Sequence, residues 1–179
     1  MPRLYSFSEF SNDWAADFSR EAELWKILLG EDLIAAHHFG STSIPGLAAK
    51  PSIDVLVSAR ELEAVDAAAS RIVAEGYAAW GEYGLAGRRY FPKDRDGVRT
   101  HNVHVYAAGN PGIDRHLEFC AYLKEHPELC REYEALKREA YRRFPADIDG
   151  YSDFKDTWIK TWEPVALEWW RGHTAKADA

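Results

Sequence analysis

The residues whose types and spacing suggest chemistry lie in one segment, His38–Val57, with the sequence HFGSTSIPGLAAKPSIDVLV. An apolar run ends at Gly40-Ser41, a loop carrying Lys50 follows, and a second apolar run contains one acid, Asp54. Glycine lets a backbone approach phosphate closely, while N–H groups and a serine hydroxyl supply donors. A carboxylate on a strand suits Mg²⁺, which prefers oxygen ligands. The pattern therefore predicts a site for a phosphorylated ligand and its metal ion.

Asp54 is the first candidate in this segment, because an acid within an apolar run is costly to bury without a partner. One interpretation makes it a ligand of Mg²⁺ or of a substrate donor group. The other makes it half of a structural ion pair with Arg88, Arg89 or Arg99. We favour the first interpretation, since acids on strands that border clefts are usual Mg²⁺ ligands.

Periodicity predicts the elements that must position these residues. Strands are expected at Leu33–Phe39, Ser52–Ser58 and Thr100–Ala107, with a hairpin formed by Tyr77–Tyr83 and Arg88–Pro92 around Gly84–Gly87, and a charged turn at Lys93–Gly97. Helices are expected at Asp13–Leu29, Arg60–Glu75, Ile113–Glu125 and Pro127–Phe144, with a last one starting near Tyr151. Pro164 should kink or break that last helix.

The composition is that of a globular protein: 179 residues, 46% apolar and 28% charged, are enough for one domain with a full core. A net charge of −7 argues against nucleic-acid binding driven by overall charge. No run approaches the ~18 apolar residues of a membrane span, and no signal-peptide core is visible, so we expect a cytoplasmic protein. Cys120 and Cys130 are expected to be small apolar residues rather than a disulfide. The composition leaves the oligomeric state open.

Four segments of the sequence carry a resemblance to a known family. GSTSIPGLAAKPSIDVLV resembles the signature of the GrpB family, in which Gly-Ser-Thr, Pro-Gly-Leu and Lys-Pro precede an apolar residue and an aspartate. THNVHVY is similar to its histidine-containing strand, and HLEFCAYLKEHPELCREYEALK with YSDFKDTWI is similar to its C-terminal helices. The chain departs from the family at Cys120-Ala121, where Arg-Asp is frequent, so any contact made by that pair is absent here.

The resemblance implies the nucleotidyltransferase fold superfamily, and hence an α+β fold with a mixed sheet of four or five strands, flanking helices and a helical C-terminal third. We expect one domain over residues 1–179, with its core at about 10–165 and a short flexible tail at Thr174–Ala179. The superfamily pattern is Gly-Ser followed by Asp-apolar-Asp. Aligned on it, either Ser52 replaces the first acid and Asp54 is the second, or Asp54 is the first and Leu56 replaces the second. Both alignments leave one metal ligand missing.

Basic residues and one histidine complete the expected site. Lys50 precedes Pro51 and is extended, so it either approaches a phosphate or is solvated. Lys137 and Lys155 lie on the C-terminal helices, which in relatives of this fold often supply cations to a polyphosphate; the alternative is a solvated helix face. His104 is either a general base or a hydrogen-bonded histidine of the sheet.

We expect Asp54 and His104 to enter one pocket from adjacent strands, with one or more of Lys50, Arg88 and Arg89. A site of histidine and carboxylate would suit Zn²⁺ or Fe²⁺ better than Mg²⁺, and we take that as the minor alternative.

The function that follows from the resemblance is binding of a nucleotide or a phosphorylated small molecule, with Mg²⁺-dependent nucleotidyl transfer as its enzymatic form. Gly40, Ser41 and Thr42 would position phosphate, Asp54 would hold Mg²⁺ weakly, and His104 would act as base. The alternative is a catalytically degenerate binding or protein-interaction module on the same fold. The missing acids favour the alternative, whereas the retained Gly-Ser and Asp favour the enzyme.

Overall fold

The computed structural model describes residues 5–177, and their side chains as far as residue 173. The helices are α1 Asp13–Leu29, α2 Leu62–Ala74, α3 Pro111–Glu125, α4 Pro127–Arg143 and α5 Ile148–Ala177. The strands are β1 Leu33–Phe39, β2 Ile53–Ala59, β3 Arg88–Arg95 and β4 Val98–Ala107. These elements confirm the predicted α+β class with its helical C-terminal third. In the tail predicted at Thr174–Ala179, the side chains lie outside the described residues.

The four strands form a mixed sheet in the order β1-β2-β4-β3. β2 runs antiparallel to β1 and parallel to β4, and β3 runs antiparallel to β4. The register places Asp54 opposite Phe39 on one side and opposite Asn102 on the other. His104 lies opposite Leu56 and Tyr90. Because side chains directly across a ladder share a face, Asp54, Asn102, His104 and Tyr90 are brought to one face of the sheet.

Both faces of the sheet are covered. On one face, β-branched residues such as Val55 and Val103 pack with Trp25 of α1, and none of these three side chains is exposed to solvent. On the other face, Phe39 and Leu56 pack against Cys120 of α3. The helical third packs around its own cluster. The Asp54 face therefore looks towards α3, α4 and α5, and the site lies between them and the sheet.

The tight hairpin of the sheet is β3–β4, and the strand predicted at Tyr77–Tyr83 is wrong. Asp96 and Gly97 connect β3 to β4 with φ of +52° and +77°, the positive values that a two-residue type I′ turn requires. Residues 78 and 80 do donate backbone hydrogen bonds to Pro92 and Tyr90, at 2.9 and 3.0 Å. The segment makes only one isolated bridge, at Tyr77, because positive φ at Gly81, Tyr83 and Gly84 interrupts an extended backbone.

α5 continues through Pro164, so the helix is not broken there. An interior proline costs about 3 kcal/mol, since it removes a backbone hydrogen bond and crowds the preceding turn. Burial of Ala166 and the packing of Trp158 and Trp162 against α3 and α4 offset that cost. Within residues 5–177, no helix combines the length and apolarity needed to cross a membrane.

Candidate functional site

The Gly40-Ser41 turn lies directly against Asp54, as the motif spacing predicts. β1 ends at Phe39, and Gly40 has φ +71° and ψ −172°, a backbone conformation that favours glycine. A Cβ atom at Gly40 would lie 2.3 Å from Oδ2 of Asp54, too close for any side chain. Ser43 closes the turn, because its hydroxyl donates to the Gly40 carbonyl at 2.8 Å. Glycine is therefore required here by both conformation and space.

The Asp54 carboxylate is held by an amide rather than by a guanidinium. Oδ1 of Asp54 accepts a hydrogen bond from Nδ2 of Asn102 at 2.8 Å. Burial raises the pKa of Asp54 above its usual value, although the Asn102 hydrogen bond and the charges of Lys50, Lys155 and Arg99 oppose that rise. The free energy of burying this charge is thus not fully offset by its neighbours.

The arginines expected as structural partners of Asp54 make their hydrogen bonds elsewhere. Arg89 binds Asp66 through two contacts of 2.6 and 2.8 Å. Arg99 pairs with Asp94. Arg88 donates to the carbonyl oxygens of residues 82 and 83, at 3.2 and 2.6 Å. These contacts weigh against the interpretation of Asp54 as half of a structural ion pair with Arg88, Arg89 or Arg99.

Two lysines flank one aromatic ring beside Asp54. Nζ of Lys155 lies 4.5 Å from the ring centroid of Tyr151, and Nζ of Lys50 lies 5.0 Å from the same centroid. Burial lowers the pKa of Lys155 to about 8, and the charge of Asp54 opposes that shift. Both ammonium groups are therefore held by cation–π contact at the cleft, and the arrangement concentrates positive charge around a single carboxylate.

The cleft at Asp54 has two lobes that share Lys50, Ser52, Asp54 and Asn102. The first, which we name the phosphate lobe, has a volume of about 290 Å³ and is also lined by Gly40, Ser41, Thr42, Arg115, His116, Tyr151 and Lys155. The second, which we name the aromatic lobe, has a volume of about 370 Å³ and is also lined by Tyr83, Arg88, Tyr90, Arg99, His104 and Asp149. The shared residues make the two lobes one continuous cleft.

His104 enters the aromatic lobe with Asp54, Lys50 and Arg88, which confirms the predicted shared pocket. Its ring packs 5.2 Å from Phe39 between centroids, and its Nδ1 lies 3.3 Å from Nη1 of Arg88. Burial is the main cause that lowers the pKa of His104 to about 3, and the charges of the nearby His116 and Arg88 lower it further. The imidazole is neutral at pH 7 and is a weak base, so a role as general base stays a prediction.

Arg89 and Lys137 are not brought to the cleft. Arg88 and Tyr90 face the aromatic lobe, and because side chains alternate along a strand, Arg89 points the other way, towards Asp66. Nζ of Lys137 donates to the carbonyl oxygen of Ala48 at 2.5 Å and is buried, so it holds the loop before Lys50 instead of lining a lobe. Sequence alone did not distinguish a helix residue under the loop from one facing the ligand.

Several site residues were not singled out from the sequence as ligand-binding. Asn102 holds Asp54, and Tyr83 and Tyr90 line the aromatic lobe. The period of two on the strands could have identified Asn102 and Tyr90, since each lies two residues from a residue already assigned to the cleft. Tyr83 lies on a loop of positive φ, for which the sequence carries no comparable periodic signal.

The donor set around Asp54 fits Mg²⁺ only in part. Within the described residues, no group of three or more histidine, cysteine, aspartate or glutamate side chains is arranged to hold a metal ion. Asp54 contributes one carboxylate, and the buried Ser52 lies two residues before it. Mg²⁺ keeps several waters and usually takes one or two protein carboxylates together with ligand phosphates. The residues present therefore fit an ion that arrives with a phosphorylated ligand.

The family model described as GrpB protein matches residues 6–164. The chain belongs to the GrpB family. The chain is 47% identical over 163 residues to the UPF0157 protein YqkA of Bacillus subtilis, covering 91% of this chain and 47% of that protein, so it spans about half the length of this relative. The crystal structure of conserved protein GrpB from Enterococcus faecalis aligns with a TM-score of 0.88 at 41% identity, covering 92% of this chain and 99% of that one.

A more distant solved structure shares the fold of this chain. A crystal structure of Cid1 poly(U) polymerase with bound Mg 3′-dATP aligns with a TM-score of 0.55 at 16% identity, covering 82% of this chain and 49% of that one. At this identity the likeness concerns the fold alone. The nucleotidyltransferase-like fold predicted from the sequence is confirmed.

Proposed function

We propose that the cleft binds a nucleotide or a phosphorylated small molecule, with phosphate in the phosphate lobe. The observation that carries this proposal is the convergence of Lys50, Lys155 and the Gly40-Ser41 turn on the half-buried Asp54. Two ammonium groups beside one carboxylate make a local anion site on a chain whose net charge is −7. The backbone N–H groups and hydroxyl of the turn can donate to phosphate oxygens.

Mg²⁺ is the cofactor we propose for this site. Asp54 would hold the ion together with phosphate oxygens of the ligand, and the ion would neutralise phosphate charge. In the enzymatic form, a hydroxyl or phosphate oxygen of an acceptor would attack the α-phosphorus of a nucleoside triphosphate, and pyrophosphate would leave. Lys50 and Lys155 would then stabilise the charge on the phosphate oxygens.

The second candidate is the same binding site without catalysis. It is favoured by the residues beside Asp54, because Ser52 stands two positions before it on the chain and Asn102 lies opposite it on β4. Neither is a carboxylate, and two closely spaced cations need more negative charge than one aspartate supplies. Weak metal binding without ligand and slow or absent nucleotidyl transfer follow from this arrangement.

A thermal-shift screen of nucleoside mono-, di- and triphosphates, with and without Mg²⁺, tests the binding proposal. A ligand at 100 times its dissociation constant should stabilise the fold by about 2.7 kcal/mol. Asp54→Asn should abolish the Mg²⁺-dependent part of the shift, and Ser52→Asp should increase it by adding a second carboxylate. Asp66→Asn, an aspartate away from both lobes, is the matched control. Absence of any shift would overturn nucleotide binding, and a Mg²⁺-dependent shift that survives Asp54→Asn would overturn the assignment of Asp54 as the metal ligand.

A further inference from the structure

The aromatic lobe contains a buried cation with an unused donor. The Arg99 side chain is 9% exposed, and its Nη1 donates to Oδ1 of Asn102 at 3.0 Å and to the Tyr90 hydroxyl at 2.9 Å. Its Nε pairs with Asp94. Its Nη2 is buried and has no hydrogen-bond partner among the described residues. Leaving a buried charged donor unpaired is costly, and an acceptor oxygen supplied by a ligand would offset that cost.

One of the groups that hold Arg99 in place, Asn102, also contacts Asp54. Asn102 accepts from Arg99 through its oxygen and donates to Asp54 through its nitrogen, at 3.0 and 2.8 Å. The guanidinium also lies over Trp80, 5.3 Å from the ring centroid. Arg99 is therefore fixed in the lining of the aromatic lobe, and Asn102 links it to the carboxylate proposed to hold Mg²⁺.

An aromatic wall borders the same lobe. Tyr83 stacks on Tyr90 with centroids 5.2 Å apart and planes inclined by 14°, and Trp80 lies 4.8 Å from Tyr83. Tyr83 is 60% exposed and has φ +44°, an uncommon value for a residue other than glycine. Buried Arg88 holds this backbone by donating to the Tyr83 carbonyl at 2.6 Å. A fixed, exposed ring at a pocket mouth offers a stacking surface for a planar ligand.

The charge of the aromatic lobe favours an anion. Its lining contains three cations, Lys50, Arg88 and Arg99, and two carboxylates, Asp54 and Asp149. Charge–charge attraction is strengthened where water is excluded. The lobe thus combines net positive charge, an unused guanidinium donor and a planar aromatic surface.

We propose that the aromatic lobe is a second subsite that takes a planar ring bearing a carboxylate or phosphate, with the anionic oxygen on Nη2 of Arg99 and the ring against Tyr83. The subsite rests on the proposed function in one respect: it would hold the second reactant, across Asp54 from the phosphate lobe. The ligand is therefore an aromatic carboxylic acid or an aromatic phosphate. Separate probes carrying a carboxylate and a phosphate distinguish these two ligand classes.

Ligand-detected NMR titrations of the full chain with benzoate, phenyl phosphate and benzamide test the subsite. Benzamide is the neutral counterpart of benzoate and keeps the ring. At least one charged probe should bind about tenfold or more tightly than benzamide, and Arg99→Gln should weaken it by about tenfold to a hundredfold, as expected for loss of a hydrogen bond between charged groups. Asp94→Asn breaks the same ion pair without removing the guanidinium and should leave affinity within about threefold.

Tyr83→Ala tests the subsite without removing the buried Arg99 side chain, whose loss could destabilise the fold. It should weaken the charged probes several-fold, since stacking on an aromatic ring contributes about 0.5–1.5 kcal/mol, or roughly twofold to tenfold. Charged probes that bind no better than benzamide, or equal losses in Arg99→Gln and Asp94→Asn, would overturn the subsite. Nucleotide binding is measured separately. If the probes bind in an Arg99-dependent way but no nucleotide binds, only the proposed function is overturned, and the subsite remains.

Discussion

Gly40→Ala tests the contact that joins the turn to Asp54. The new Cβ would lie 2.3 Å from Oδ2 of Asp54, and the backbone at φ +71°, ψ −172° is strained for any residue with a side chain. Backbone strain of this kind costs about 1–3 kcal/mol. Displacing the carboxylate from Asn102 removes a buried charged hydrogen bond, which contributes about 1.5–3 kcal/mol. Together these two costs predict a loss of about 2.5–6 kcal/mol in the free energy of unfolding.

Urea denaturation measures this loss, and Gly46→Ala is the matched control. Gly46 has φ +80°, but a Cβ there would meet nothing within 4 Å. Its substitution should cost only the backbone preference, about 1–2 kcal/mol. In an Asp54→Ala background, Gly40→Ala should likewise cost less than in the wild type, because the carboxylate it meets is gone. A cost for Gly40→Ala that equals that of Gly46→Ala, or that is unchanged in the Asp54→Ala background, would refute the contact.

Further predictions concern buried charges and the hairpin. Because burial raises the folded-state pKa of Asp54, the contribution of Asp54 to stability falls as pH rises from about 4. Asp54→Asn should therefore be at least as stable as wild type at pH 7 in urea denaturation, with the advantage shrinking towards pH 4. Burial lowers the pKa of Lys137 to about 7, so stability should rise between about pH 7 and 9.5, and Lys137→Met should flatten that rise. Gly97→Ala, at φ +77°, should destabilise by about 1 kcal/mol in the same assay.

The contradicting results are equally direct. An Asp54→Asn variant that is clearly less stable than wild type at pH 7 would show that the carboxylate stabilises the fold. An alkaline stability profile that is unchanged in Lys137→Met would show that this ammonium group does not set it. No loss of stability in Gly97→Ala would contradict the type I′ turn at Asp96-Gly97.

Local patterns in the sequence predicted the elements that hold the site. The apolar run before Gly40-Ser41 predicted β1 at Leu33–Phe39 with the bounds observed, and the period of two in the next run placed Asp54 on the cleft face of β2. The positions of the other site residues depend on the register between strands, which no local sequence pattern contains. It set Asn102 opposite Asp54 and turned Arg89 away from the cleft.

The missed features are those set by long-range packing. Lys137 looked like a solvated or phosphate-facing lysine because its helix is amphipathic, yet it lies under the Ala48 loop, 89 residues earlier in the chain. The hairpin was assigned to Gly84–Gly87. The charged turn predicted at Lys93–Gly97 does contain the tight turn, Asp96-Gly97, but its first three residues belong to β3. The Tyr83–Tyr90 stack depends on Arg88, whose side chain reaches back to fix the loop.

The most direct test of the phosphate lobe is a calorimetric titration of Lys155→Gln against Lys160→Gln, using the nucleotide that gives the largest thermal shift. Both lysines lie on α5, but Lys155 is half-buried beside Asp54 and Tyr151, whereas the Lys160 side chain is 74% exposed. Lys155→Gln should weaken nucleotide binding by about tenfold or more, as expected for losing a charge-assisted hydrogen bond to phosphate, and Lys160→Gln should change it by less than about twofold. Wild-type affinity should also fall as pH rises through about 8, the pKa of Lys155. Equal affinities in the two variants would contradict phosphate binding in this lobe.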